Sequence, residues 1–128
     1  MAVIKFRKKD DDNNEKKEEE KLEQIVEDES LRIKQAVEEY ILTNFAVKNV
    51  LGMDIVYKIN KNDIGVIGLV AYEHKRREGV FTADFIAKGS KIKDKFVIDN
   101  LAFSQGEPYL YNQILNILKA KNCLPQIN

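Results

Sequence analysis

The 128-residue chain has one cysteine, Cys123, and one histidine, His74. A lone thiol closes no intramolecular disulfide, so a small disulfide-stapled secreted fold is excluded and a reducing compartment is expected. With one imidazole and one thiol there is no ligand set at zinc spacing. No carboxylate cluster stands at ligand spacing beyond the run Asp10-Asp11-Asp12, which is adjacent to cations, so neither a metal nor a cofactor is expected. Long apolar runs are missing as well. Ala2-Val3-Ile4 precedes a basic cluster and is too short for a signal-peptide core, and no stretch approaches membrane-spanning length. The expectation is a cytoplasmic protein without a membrane span, unless a leader has been removed. No glycine motif lies between a strand and a helix to cradle phosphate.

Net charge is also absent, with 21 basic against 21 acidic side chains, but the charges are unevenly spread. Residues 1–21 hold seven of each sign, residues 22–52 three basic and six acidic, and residues 53–128 eleven basic and eight acidic. That last excess is too small to force nucleic-acid binding, whose usual footprint is a strongly basic domain. Between Arg7 and Lys21 there is no apolar side chain, so this stretch has nothing to bury against the cost of ordering it. The chain therefore reads as a charged, partly flexible arm over 1–21 and one α+β domain over 22–128, long enough for a single core.

From Glu15, good helix formers lead into apolar positions at Leu22, Val26, Ile33, Val37, Tyr40, Ile41, Phe45 and Leu51, mostly three, four or seven apart. Gly52 stands where a C-terminal cap belongs. The spacing predicts a long helix over 15–50, with Asp28-Glu29-Ser30 as the caps of a second segment should it break there. Beyond Gly52 the period becomes two. Strands are expected over 53–60, 64–72, 80–87 and 95–103, joined by short polar connections that make neighbours antiparallel. The second run is apolar on both faces, which predicts a central strand covered on both sides. Its Gly65 and Gly68 mark a bulge, a bend or a close backbone approach, and point to a curved sheet. In the fourth run, Phe96, Ile98 and Ala102 alternate against Val97, Leu101 and Phe103. Pro108 opens a C-terminal helix with Leu110, Ile114, Ile117 and Leu118 at core spacing.

The order helix then meander, with Ile64-Gly65-Val66-Ile67-Gly68-Leu69-Val70-Ala71-Tyr72 followed by a polar hairpin and Phe81-Thr82-Ala83-Asp84-Phe85, resembles the small cystatin-like or NTF2-like domains of Gram-positive bacteria and their mobile elements. Among these it is most similar to the DUF1433-type lipoproteins, over residues 31–103, but it lacks their lipobox cysteine and leader. The resemblance implies a cystatin/NTF2-like fold and no catalytic residues.

Three groups of side chains carry what chemistry the sequence offers. Tyr72, His74, Lys75, Arg76 and Arg77 gather at one hairpin and form the candidate binding site, since guanidinium groups recognise oxyanions in a bidentate manner. Lys88, Lys91, Lys93 and Lys95 belong to the next hairpin, which a meander places at the opposite end of the sheet. Asp84 and Asp99 interrupt apolar strands and are the pocket candidates of an NTF2-like enzyme, where a buried carboxylate with a raised pKa would act as general base. The leading expectation is a non-enzymatic binding or accessory protein, of the immunity or mobile-element kind, with a protein partner and self-association through the N-terminal helix. The small enzyme and a weak nucleic-acid binder are the alternatives.

Overall fold

A computed structural model describes residues 28–126. By contact the chain divides into two compact units, 1–31 and 32–128, and the fold below is that of the second. The expected arm over 1–21, with the helical turns before residue 28, lies outside the described residues.

Residues 28–44 are helical (α1). Four strands follow: β1 (Val47–Asn60), β2 (Asp63–His74), β3 (Val80–Ile92) and β4 (Lys95–Phe103). A helix, α2 (Pro108–Ala120), ends the order. The strands form one sheet in sequence order, and every neighbouring pair is antiparallel. The molecule is thus α+β, as the change of hydrophobic period implies.

Alternation along the strands creates two apolar faces, and each receives one helix. On the first, Ile33, Val37 and Ile41 of α1 pack with Val66 and Val70 of β2, Phe85 of β3, and Ile98 and Leu101 of β4. On the second, Ile114 and Leu118 of α2 pack with Ile86 of β3, Ala102 of β4 and Cys123. The result is a three-layer arrangement, helix, sheet, helix, with two cores separated by the sheet.

Three local expectations are corrected. The first helix ends at residue 44 rather than 50, and Val47–Asn60 is strand throughout, so Gly52 pairs with Ala71 instead of capping a helix. The physical reason lies in two register shifts, between Val47 and Asn49 and between Val50 and Gly52. Each inserts an extra residue, so inward side chains fall at Val47, Val50 and Met53, three apart, before the period returns to two at Ile55, Tyr57 and Ile59. A twice-bulged strand thus imitates helical spacing. Leu51, expected on the helix core face, is exposed at the second bulge.

In β4, a register shift between Lys88 and Gly89 of β3 leaves Asp99 as the extra residue opposite them. This reverses the alternation after Ile98, so Leu101 and Phe103 join Phe96 and Ile98 on the α1 face, while Ala102 turns to α2. Finally, β3 runs on through Ile92, taking in Lys88–Ile92, which the sequence assigns to a loop. Both glycines of β2 serve close approach. A Cβ at Gly65 would stand 2.1 Å from the Cys123 carbonyl oxygen, where the C-terminal tail crosses, and one at Gly68 would stand 2.5 Å from the Phe85 ring.

Candidate functional site

The β2–β3 hairpin gathers the basic candidates in a defined setting. Gly79, with φ of +105°, reverses the chain, and the Lys75 backbone N–H donates to the Ala46 carbonyl at 3.1 Å, tying the hairpin base to the α1–β1 corner. The His74 Nδ1 accepts the Arg76 N–H at 3.0 Å and its ring meets Phe81 edge-on, with centroids 6.2 Å apart. Phe81 stacks on Tyr72 at 5.9 Å, and Tyr72 reaches Phe103 at 6.4 Å. Tyr72 and His74 therefore belong to an aromatic chain at the end of the α1-side core, while Lys75, Arg76 and Arg77 extend from the turn into solvent. The turn between β3 and β4 lies at the other end of the sheet, so the two basic groups are apart, as a meander requires.

The two pocket carboxylates are also apart. Asp99 sits at the β4 bulge, exposed, with an oxygen 2.7 Å from the Lys88 ammonium. Asp84 lies on the α2 face of β3 and is exposed as well. Among the described residues no group of three or more His, Cys, Asp or Glu side chains is placed to hold a metal ion, and no helix is long and apolar enough to cross a membrane.

The feature the sequence does not disclose is on the second face. α2 contacts β3 and β4. Around Val56 and Leu69 the β1–β2 part of that face is left open, contrary to the expectation that β2 is covered on both sides: Val56 is 39% and Leu69 45% exposed, while Gly65 meets the tail and Ile67 packs on the α2-side core. The physical reason is placement: α2 lies over β3 and β4, and its C-terminal end and the tail reach β2 at Gly65 but not at Leu69. A cleft of about 370 Å³ results, its floor made by Val56, Ile67, Gly68 and Leu69, with Asp54, Asp84 and Tyr111 around it. Register fixes the charges: Asp54 pairs with Leu69 and Leu69 with Asp84, so the carboxylates flank the leucine in one row of the sheet. Two inter-strand steps put their backbones about 10 Å apart.

Tyr111, in the first turns of α2, forms the wall on the covered side. Burial, and then the negative charge of Asp84, raise its phenol above the ordinary value of 10.0, so it stays a protonated donor at neutral pH. The cleft therefore offers apolar area, one hydroxyl donor and a negative charge on either side. No single signal in the sequence marks it: Val56 and Leu69 look like any core-facing strand residues until the extent of α2 is known.

Compared with protein-family models, curated proteins and solved structures, the chain finds no significant match.

Proposed function

We propose that the protein is a non-enzymatic protein-binding module whose contact surface is the open part of the second sheet face. The observation that carries this reading is the Leu69 row: an exposed leucine on a rigid central strand, flanked by two carboxylates and walled by Tyr111. An exposed apolar patch with a polar rim marks an interaction surface, and its rigidity keeps the ordering cost of binding low. The acidic flanks select the partner: a segment that seats an apolar side chain on Leu69 and turns a lysine or arginine toward Asp84. The order of helix and antiparallel meander agrees with the cystatin-like or NTF2-like resemblance, a relationship that stays part of the proposal.

The test is selection from a random displayed-peptide library against the full-length protein. The expected outcome is a consensus with an apolar residue next to a basic one, lost against Leu69→Asp and weakened about tenfold or more against Asp84→Asn, as expected for a charge-assisted contact of about 1.5–3 kcal/mol. Selection of no consensus, or of one that binds Leu69→Asp equally well while far-UV circular dichroism shows that variant folded, would overturn the reading.

A further inference from the structure

The open edge of the sheet carries a second and independent message. β1 is an outer strand, and among the described residues no strand pairs with its free side. Long, regular edge strands are templates for further pairing, and proteins usually interrupt them with bulges, proline or inward-pointing charge. The other edge, β4, is interrupted by the bulge at Asp99, and the first part of β1 by its two register shifts. From Met53 to Asn60, however, β1 pairs with β2 residue for residue, without shift or proline. This run borders an open concavity of about 540 Å³ lined by Ile55, Val56, Tyr57 and Lys58 with Pro125 and Gln126 of the tail.

What distinguishes this run is that its sequence complements itself. Consider a two-fold axis perpendicular to the sheet through Val56, which sets the strand antiparallel to its own copy. Val56 then faces Val56, Ile55 faces Tyr57, and Met53 faces Ile59, so the apolar side chains of each face meet apolar partners. Asp54 faces Lys58 on the second face, and the symmetry makes the same opposite-charge pair twice. A shift of one residue either way puts inner-face side chains against outer-face ones, and a shift of two separates the charges. Only the Val56 register satisfies both the faces and the charges.

We infer that the occupant of this edge is a second copy of the chain, joined through β1 to form a continuous eight-stranded antiparallel sheet. In this dimer the exposed Val56 side chains of the two copies meet, and the two clefts lie side by side on the same face. Among the described residues Lys58 makes a single 3.5 Å contact, to Asn122 Oδ1, and that contact leaves its other donors for Asp54 of the copy. The inference does not rest on the peptide-binding reading, although Val56 and Asp54 border both surfaces; Leu69→Asp tests the cleft and leaves the strand-edge pairs in place.

The experiment is sedimentation equilibrium of the full chain across a concentration series, with charge-exchange variants. The wild type is expected to dimerise. Asp54→Lys alone and Lys58→Asp alone each set like charges opposite one another at two symmetric positions and are expected to raise the dimer dissociation constant about tenfold or more. The double exchange, Asp54→Lys with Lys58→Asp, restores both pairs and is expected to return it to within about threefold of wild type. Disulfide trapping gives a second readout. Val56→Cys is expected to cross-link to its own copy on mild oxidation, because directly opposed Cβ atoms lie about 4.5–5.5 Å apart, whereas Lys58→Cys, offset by four residues from its own copy, is not. A wild type that stays monomeric at about 100 µM, in the micromolar-to-millimolar range of weak association, would overturn the inference. So would a dimer in which the double exchange fails to rescue the single ones, or one that cross-links through position 58 and not 56.

Discussion

Gly65 and Gly52 both lie within strands and differ in what surrounds them. At Gly65 an added Cβ meets the Cys123 carbonyl oxygen at 2.1 Å and the Leu118 Cδ1 at 2.9 Å, so neither the tail nor α2 has room to give. At Gly52 nothing lies within 4 Å. Gly65→Ala is therefore expected to lower stability by about 1–3 kcal/mol, the usual cost of forcing extra volume into packed structure. Gly52→Ala is expected to change it by less than about 0.5 kcal/mol, as at an unencumbered surface position. Urea midpoints of the two variants give the comparison, and equal losses would show that strand glycine as such, not close approach, is what matters. Tyr111 allows a second residue-scale measurement. Its phenol is held up first by burial and then by Asp84, so Asp84→Asn should bring it down toward 10.0 without reaching it, because the larger cause remains. The sign follows from the charge removed: a nearby carboxylate opposes formation of phenolate, and a neutral amide does not. Carbon-13 NMR of labelled tyrosine through an alkaline titration measures it, and an unchanged or raised value would contradict the assigned cause.

At the scale of elements, the bulges govern which side chains reach the core. In β1 they produce the three-residue spacing at Val47, Val50 and Met53 that reads as helix in one dimension. In β4, Asp99 reverses the alternation and delivers Leu101 and Phe103 to the α1 side, where Phe103 lies 4.8 Å from Phe45 and nearly perpendicular to it. Asp99 itself contributes one exposed ion pair to Lys88, which is worth little in stability. Its structural role is one of counting. Removing a bulge residue restores regular pairing on both sides of it, whereas removing a residue from a regular run turns the rest of the strand inside out. Deletion of Asp99 is accordingly expected to leave a cooperatively folded protein with an unchanged far-UV circular dichroism spectrum. Deletion of Ile67, which pairs without shift to both β1 and β3, is expected to abolish cooperative unfolding. If deletion of Asp99 proves as damaging as deletion of Ile67, the bulge does more than shift the register.

At the scale of the described domain, two helices serve one four-stranded sheet, one on each face, and the two faces end up unequal. The α1 face gathers inward residues from all four strands, including the aromatic sequence Tyr40, Phe45, Phe103, Tyr72 and Phe81, and closes into a continuous core. The α2 face is completed only over β3 and β4, with the tail held across by the Asn60 side-chain amide donating to the Lys121 carbonyl at 2.7 Å. The cleft follows from this asymmetry, whereas the open β1 edge follows from the strand order, which leaves β1 outermost.

The sequence by itself determined the α+β class, the four antiparallel strands and the proline-opened C-terminal helix. Local periodicity and turn chemistry are one-dimensional properties and need no partner to be read. The basic hairpin was legible for the same reason. Three things were decided only in three dimensions. The end of α1 depended on bulges, because an inserted residue changes the period without changing the composition. The environment of Asp84 depended on where α2 settles, since an exposed strand residue and a cleft wall have the same sequence signature. The open part of the second face depended on where α2 and the tail settle over the sheet, a placement for which no residue carries a mark.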